Sequence, residues 1–525
     1  MRDLQKPGRS SVLSTNGMCA TSHPLASKTA IDVLERGGNA MDAAIAGALL
    51  LGFCEPHMTS IGGDCFALFS PAGSDDVLAL NGSGRAAAKA DAADLRAKGH
   101  ETVPLYTPDA ITIPGAIDAF CHLSDKHGKL GLDAILEPAI HYAEEGVPIA
   151  GRVAHDTQSA SEKLQGAALT HFSNNGHPLQ QGDIFRAPKQ AEVLRRIARD
   201  GRDAFYQGEV ADDILNTLNT MGGVHKADDF AKAVATPTDP ISGEYKGLEL
   251  LEHPPNGQGA AAILMLNMLK HFDIASMDPW GLERAHIEAE ACKLAYDTRN
   301  RFVGDADHTV RLDHLLSEDT AAKLAALIDP GKSLPTLQPL AEAMHKDTVY
   351  ITVVDRDRMS VSLIYSLFHG FGSGIASEKF GILLHNRGAS FSLEEGHANE
   401  LKGGKRPMHT IIPGILRQQG RVIMPFGVMG GQYQSHGHAR FLSNICDFGL
   451  SPQANIDAPR LFVEDGKLQV ERGYAPEVHQ GLKDLGHDVI IPENPIGGAQ
   501  AILIHESGVL EGASDPRKDG CALGY

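Results

Sequence analysis

The sequence predicts a mixed α and β fold with antiparallel hairpins close to residue 348. Apolar residues recur at spacings of three and four through the middle of the chain, which is the period of amphipathic helices. Beyond residue 348 the pattern changes to the alternation that is typical of strands. Residues 349–354 and 359–367 alternate around the charged sequence 355–358 (DRDR), which indicates a hairpin.

The individual elements follow the same two periods along the chain. A helix is expected over residues 27–51, interrupted at Gly37 and Gly38, and the apolar run 43–53 is too short to cross a bilayer and indicates a buried helix. A segment rich in Pro and Gly, 329–347, is expected to be a linker. The remaining predicted elements are strands at 66–69 and 77–80, helices at 130–145, 187–200, 260–271 and 284–299, and strands near Leu468, Val489, Ile502 and Leu510.

Composition restricts the class of protein. The chain has 525 residues, 42% of them hydrophobic, which is enough for a large core and more than one domain. Its net charge of −19 disfavours nucleic acid or an anionic membrane as a partner. Seven cysteines without a C-x-x-C pair indicate neither a disulfide framework nor a zinc ribbon. Together with an N-terminus that lacks an apolar export signal, they favour a cytoplasmic location.

The sequence 345–355 (HKDTVYITVVD) contains the candidate nucleophile. If the chain were cut between Asp347 and Thr348, Thr348 would carry a hydroxyl and a free α-amine. An α-amine titrates near pH 8, so part of it is unprotonated at neutral pH and can accept the proton of the hydroxyl. The alternative is that Thr348 is an ordinary strand residue, because threonine favours strands.

Further motifs give the chain a family resemblance. In order and spacing they resemble the γ-glutamyltransferase family, whose members are self-cleaving N-terminal-nucleophile hydrolases. The motifs after Thr348 are 370–375 (GFGSGI), 381–386 (GILLHN), 404–407 (GKRP), 429–431 (MGG) and 457–460 (DAPR). Those before it, together with one near the end, are 22–26 (SHPLA), 37–44 (GGNAMDAA), 61–63 (IGG), 113–115 (IPG), 254–259 (PPNGQG) and 512–517 (GASDPR).

The resemblance implies a fold and a domain organisation. The implied fold is a four-layer α/β/β/α sandwich, with residues 1–347 as the large subunit and 348–525 as the small subunit of one intertwined catalytic unit. The two fragments would form a heterodimer, with a higher oligomer left open. No cofactor or metal is expected: His436 and His438 lack carboxylate or cysteine partners at ligand spacing.

The resemblance also assigns catalytic residues. Gly430 and Gly431 match the family's oxyanion position, where backbone N–H groups stabilise the developing negative charge. The alternative for a Gly-Gly pair is a tight turn. Ser366 falls where relatives often place a hydroxyl hydrogen-bonded to the nucleophile, although a polar residue in an alternating strand needs no such role.

Substrate recognition departs from the family pattern. The family's arginine position falls at Ser83, so that Arg85 becomes the candidate for binding a carboxylate, with His409 and Thr410 in place of a serine pair. The alternative is that Arg85 is a solvated loop residue. The asparagine position is Phe368, and the acidic position falls at Ala389 or Ser390, so no carboxylate remains for an α-ammonium group.

The predicted function follows from these departures. The sequence indicates an autoprocessing amidohydrolase that cleaves the amide of a small carboxylate-bearing acyl group, of the oxamate or glutaryl type. The runner-up is a true γ-glutamyltransferase and glutathione hydrolase. A third hypothesis is an unprocessed homologue that binds a carboxylate without catalysis, but such a protein has no need of a scissile threonine.

Overall fold

The computed structural model describes residue 5 and residues 8–335 and 346–525. Most of its helices lie before residue 348. The helices are α1 (Pro24–Glu35), α2 (Ala40–Cys54), α3 (Ala92–Ala97), α4 (Ala116–His127), α5 (Leu132–Glu145), α6 (Gly151–Ala160), α7 (Ala167–His171), α8 (Pro188–Asp200), α9 (Asp203–Tyr206), α10 (Gly208–Thr220), α11 (Ala227–Ala231), α12 (Gly259–Leu269), α13 (Leu282–Phe302), α14 (Leu312–Leu315), α15 (Glu318–Ala325), α16 (Tyr433–Phe448), α17 (Pro452–Asp457) and α18 (Pro476–Asp484).

Strands come from both sides of residue 348. They are β1 (Val12–Ser14), β2 (Met18–Thr21), β3 (Asp64–Ser70), β4 (Leu78–Gly82), β5 (Val147–Pro148), β6 (Ile184–Phe185), β7 (Thr236–Thr238), β8 (Ile241–Tyr245), β9 (Leu248–Glu252), β10 (Lys346–Val354), β11 (Ser360–His369), β12 (Pro413–Gln418), β13 (Arg421–Met429), β14 (Leu461–Glu464), β15 (Lys467–Val470), β16 (Val489–Ile490), β17 (Gly498–Ile504), β18 (Leu510–Ser514) and β19 (Cys521–Gly524).

Two seven-stranded antiparallel sheets form the centre of the molecule. Their strand orders are β19-β2-β10-β11-β3-β4-β7 and β1-β18-β17-β13-β12-β9-β8. Each sheet combines strands from before and after Thr348, so neither part of the chain contains a complete sheet of its own. This interleaving is what a single catalytic unit built from two fragments would require.

Apolar side chains join the layers. Phe66, Tyr350, Ile364, Ile411 and Met429 form a buried cluster between the two sheets. A larger core packs helices such as α2, α4, α5 and α8 against the outer face of the β10 sheet, and another packs α12, α13 and α16 against the β13 sheet. The four layers are therefore α/β/β/α, as the family resemblance implied.

The predicted elements agree with the structure apart from their ends. Helix 27–51 divides at the expected glycines, since Gly37 adopts a φ of +95° between α1 and α2. The apolar run 43–53 lies inside α2, which is buried on nearly all sides. No helix in the described part of the chain is long and apolar enough to cross a membrane.

The segment before Thr348 differs in part from the predicted linker. Residues 336–345 of that linker lie outside the described residues. Lys346 and Asp347, which were assigned to it, instead begin β10, and their backbones pair with His369 and Phe368 of β11. The strand therefore continues across the predicted scissile bond, a continuation that the polar residues 345–347 did not indicate.

Candidate active site

Thr348 lies at a bulge in the central hairpin. The β10–β11 register shifts here, so that Ser366 and Leu367 of β11 lie opposite the single residue Thr348. Such bulges redirect a side chain and are common beside active sites. The Thr348 hydroxyl donates to Ser366 Oγ at 3.3 Å, and Thr348 is only 2% exposed. The sequence-predicted pair of hydroxyls is thus in contact.

Gly430 and Thr348 line the same cavity, which has a volume of about 430 Å³. Gly430 and Gly431 follow the end of β13, with φ angles of +117° and +58°, which favour glycine. Their carbonyls accept hydrogen bonds from Tyr433 N and Gln434 N at the start of α16. Their own N–H groups have no acceptor among the described residues. The pair forms a tight turn, and Gly430, but not Gly431, lines the cavity together with Thr348.

A buried polar cluster adjoins Ser366, the partner of Thr348. Arg387 Nη1 donates to Thr410 Oγ1 at 2.9 Å, and Arg387 Nη2 lies 3.5 Å from Ser366 Oγ. The Phe368 ring covers the guanidinium, with 4.1 Å from Arg387 Cζ to the ring centre. None of these side chains lines the cavity that Thr348 shares with Gly430. The hydroxyl of Ser366 therefore links the candidate nucleophile to a buried cation.

Asp64 is a buried carboxylate near this cluster, and its charge acts on Arg387 without a direct contact. It accepts hydrogen bonds from the Gly84 and Gly115 backbones at 3.0 and 3.2 Å, and its Oδ2 lies 3.2 Å from His409 Nε2. Burial alone would raise the pKa of Asp64, but nearby His385, His409 and arginine lower it to about 2.

The histidine at the base of the cluster is neutral. Burial, reinforced by the charge of Arg387, lowers the pKa of His409 to about 3. His409 thus orients Asp64 as a neutral donor and adds no positive charge of its own at pH 7. The two neighbouring residues thus have different partners: Thr410 contacts Arg387, while His409 contacts Asp64.

Arg85 is not part of this cluster. Its Nη1 forms an ion pair with Asp305 at 3.2 Å and donates to Gly404 O at 3.0 Å, and 43% of its side chain is exposed. The expected carboxylate-binding role therefore has no geometric support at Arg85, because a partner for its charge is already present.

Sequence reasoning missed Arg387 and Asp64. The motif 381–386 ends one residue before Arg387, and an arginine directly after the buried run Ile382–Leu383–Leu384 could have been noticed as a buried charge. Asp64 similarly opens an apolar strand after a Gly-Gly pair. In both cases the signal was a charged residue within an apolar segment.

His286, Glu290 and His487 have metal-ligand spacing, but their ligand atoms already have hydrogen-bond or ion-pair partners. The ligand atoms of His286, Glu290 and His487 lie within 4.8 Å of one another and are buried. However, the two histidines contact each other at 2.8 Å, and Glu290 pairs with Lys293 at 2.7 Å. A cation would have to displace Lys293, so the group fits a structural network.

Comparison with known proteins identifies the family. The model of the family described as Gamma-glutamyltranspeptidase matches residues 26–525. The chain belongs to this gamma-glutamyltranspeptidase family. Membership makes it a hydrolase of the N-terminal-nucleophile type, in agreement with the two-sheet architecture and the resemblance read from its motifs.

Relatives within the family cover the whole chain. The glutathione hydrolase-like YwrD proenzyme of Bacillus subtilis is 35% identical, over 98% of this chain and 99% of the relative. The oxamate amidohydrolase proenzyme of Klebsiella pneumoniae is 32% identical, over 98% of this chain and 100% of the relative. The crystal structure of cephalosporin acylase from Bacillus halodurans matches with a TM-score of 0.93 and 37% identity, covering 100% of this chain and 99% of that structure.

Proposed function

We propose that the protein is an autoprocessing amidohydrolase with Thr348 as its N-terminal nucleophile. The observation that carries the proposal is the contact of Thr348 Oγ1 with Ser366 Oγ, beside a cavity that Gly430 also lines. In the precursor, Thr348 Oγ1 attacks the Asp347 carbonyl carbon, and the C–N bond breaks as the acyl group moves from nitrogen to oxygen. Water then hydrolyses the ester and leaves the Thr348 α-amine free.

Turnover repeats this chemistry on a substrate amide. Thr348 Oγ1 attacks the carbonyl carbon, and the Gly430 and Gly431 N–H groups stabilise the oxyanion. The α-amine takes the hydroxyl proton and passes it to the leaving amine, and water hydrolyses the resulting ester. Ser366 accepts the hydrogen bond that aims Oγ1, which supports a role in positioning the nucleophile.

The proposed substrate is the amide of a small acyl group with a carboxylate and no α-amine, of the oxamate or glutaryl type. Phe368 offers no hydrogen bond to an ammonium group, and Ala389 offers no charge. The ionised Asp64 already accepts bonds from two peptide N–H groups and a histidine. The names of two relatives, an oxamate amidohydrolase and a cephalosporin acylase, also favour an acylase over a transferase.

The same proposal includes the assembly and the compartment. Fragments 1–347 and 348–525 would remain together as a heterodimer, since each sheet draws strands from both. All seven cysteines lie in the described part of the chain and none forms a disulfide, which supports a reducing compartment such as the cytoplasm. The reaction as written uses no cofactor.

A matched pair of substrates tests the acyl specificity. Glutaryl-p-nitroanilide and γ-glutamyl-p-nitroanilide differ only in the α-amine, so the ratio of their kcat/KM values isolates that group. The proposal predicts a ratio above 10 in favour of the glutaryl compound, with activity absent in Thr348→Ala. A ratio below one would instead make the protein a γ-glutamyl enzyme of the glutathione hydrolase kind.

A further inference from the structure

Arg387 is a buried cation without an anionic partner in contact. Its relative exposure is 0%, and among the described residues no carboxylate lies within 4.0 Å of its guanidinium. Nη1 has one neutral acceptor, Thr410 Oγ1, and Nη2 has only the long contact with Ser366. Nε has no hydrogen-bond partner among these residues. Several of the five donors of a guanidinium therefore remain available.

Such an arrangement is costly unless something completes it. A buried charge without a partner in contact destabilises a fold, by up to several kcal/mol, and Asp64 offsets this cost only from a distance. Burial lowers the pKa of Arg387 to about 9, with Asp64 acting in the opposite direction. The Phe368 face gives partial compensation through a cation–π contact. A planar guanidinium with free N–H groups fits a carboxylate through two parallel hydrogen bonds.

We infer that Arg387 binds the substrate carboxylate and restricts the acyl group to those with the carboxylate on the scissile carbonyl carbon or one carbon away. Oxamate and malonamate are amides of this kind. The inference rests on the proposed function and selects the short-chain half of its substrate range. It places the carboxylate at Arg387, on the small-subunit side, where the sequence pointed to Arg85.

The distance to the nucleophile sets the limit on chain length. Ser366 Oγ lies 3.3 Å from Thr348 Oγ1 and 3.5 Å from Arg387 Nη2. The distance between Thr348 Oγ1 and Arg387 Nη2 therefore cannot exceed the sum of these two distances. The attacking oxygen must stand about 3 Å from the carbonyl carbon, and a carboxylate oxygen about 2.8 Å from a guanidinium nitrogen. A carboxylate bonded to the carbonyl carbon already fills this span, with the path bent at the carbonyl carbon and at the carboxylate oxygen.

A longer acyl chain does not fit in an extended form. Each methylene group moves the carboxylate roughly 1.3 Å farther, given C–C bonds of about 1.5 Å. A glutaryl group has three, and must fold back on itself to reach Arg387 while its carbonyl stays at Thr348. The entropy lost in that folding lowers kcat/KM for long acyl groups.

The backbone before the scissile bond lies close to the Arg387 cluster. Asp347 pairs with Phe368 and Lys346 with His369, so the backbone before the scissile bond runs beside the backbone of the residue whose ring stacks on Arg387. Cutting after Asp347 frees this strand end. Cleavage would therefore release a strand end next to the proposed carboxylate subsite in the same event that creates the α-amine of Thr348.

A series of ω-amides tests the inference. Oxamate, malonamate, succinamate and glutaramate differ only in the number of methylene groups, and ammonia release gives kcat/KM for each. For the wild type, kcat/KM should fall at least 10-fold from oxamate to glutaramate. In Arg387→Gln, kcat/KM for oxamate should fall 100- to 1,000-fold, and the four amides should have similar kcat/KM values. Arg387→Lys, which keeps the charge but not the planar fork, should recover part of the loss.

Controls separate this role from folding. Arg417→Gln removes an arginine that pairs with Glu249 at the surface and should leave the series unchanged. Intact-mass measurement of self-cleavage in Arg387→Gln shows whether the variant still folds and has a working nucleophile. If Arg387→Gln does not cleave itself, the kinetic comparison with the wild type uses Arg387→Lys instead. An unchanged profile in Arg387→Gln, or a selective loss in Arg85→Gln, overturns the inference.

Failure of the proposed function has a different signature. A wild type that does not cleave itself would contradict the nucleophile assignment. A self-cleaved wild type that hydrolyses none of the four amides would contradict the carboxylate-bearing substrate and this inference with it. A self-cleaved wild type that prefers glutaramate leaves the proposed function intact and contradicts only the chain-length limit.

Discussion

Replacing Gly430 with alanine should disable the proposed oxyanion donors. Gly430 has a φ of +117°, and an alanine Cβ there would lie 2.8 Å from Gly497 Cα, closer than side chains normally approach. Because the neighbour is backbone, the Gly430 peptide must shift. Loss of one oxyanion donor raises the barrier by about 3 kcal/mol, or roughly 100-fold in kcat. Self-cleavage should slow as well, because the oxyanion that forms on the Asp347 carbonyl during attack by the same Thr348 hydroxyl also needs backbone donors.

Gly420→Ala is the matched control. Gly420 lies in the turn at the opposite end of β13, with a φ of +81°, and an alanine Cβ there would contact nothing within 4 Å. It carries comparable backbone strain, on the order of 1–2 kcal/mol, at a distance from the cavity. Thermal unfolding and kcat are measured for both variants. If Gly430→Ala loses stability as Gly420→Ala does but keeps wild-type kcat, the assignment of the oxyanion site is refuted.

The remaining predictions concern the nucleophile, its partner and pH. Thr348→Ala should abolish self-cleavage and turnover together, while Thr348→Ser retains part of both; intact mass and ammonia release measure them. Ser366→Ala should lower kcat roughly 10-fold. The variant loses the hydrogen bond from Thr348, worth about 1 kcal/mol, and leaves the Phe368 N–H without its acceptor at 2.8 Å. An unchanged kcat would argue against a positioning role for Ser366. Burial lowers the pKa of His436 to about 4 in the folded protein, from 6.5 in the unfolded chain. As the pH falls below 6.5, the unfolded chain therefore binds a proton before the folded one does. The free energy of unfolding should be at its full value above pH 6.5 and fall towards pH 4. Urea unfolding of uncleaved Thr348→Ala should show this loss of stability at low pH, and adding His436→Phe should make the loss smaller. If the free energy of unfolding falls equally steeply with pH in both proteins, His436 is not its cause.

Local patterns in the sequence were sufficient to predict the elements around the nucleophile. The alternation on either side of 355–358 gave the β10–β11 hairpin, and the apolar run within α2 gave a buried helix, because both patterns depend on residues near in sequence. The contact of Thr348 with Ser366 was accessible through the family resemblance. Its geometry, a bulge with two residues opposite one, depends on the register of paired strands and leaves no mark in composition.

The carboxylate partner could not be chosen from sequence alone. Arg85 and Arg387 are both arginines near glycines, and nothing local distinguishes a cation paired with Asp305 from one buried beneath Phe368. Arg85 pairs with a residue 220 positions away in the chain, and the contacts of Arg387 with Ser366 and Thr410 depend on how strand β11 and the later loops pack together. For the same reason the role of Asp64, which joins the large-subunit strand β3 to His409, became visible only in three dimensions.

The most direct test of the account is the covalent state of the purified protein. Intact-mass measurement with N-terminal sequencing should find fragments 1–347 and 348–525, the second beginning with Thr348 and carrying a free α-amine. Incubation with an acyl amide and a rapid acid quench should add the acyl mass to that second fragment alone. A single uncut chain with full activity, a cut at another bond, or an acyl group on the first fragment would contradict Thr348 as the N-terminal nucleophile.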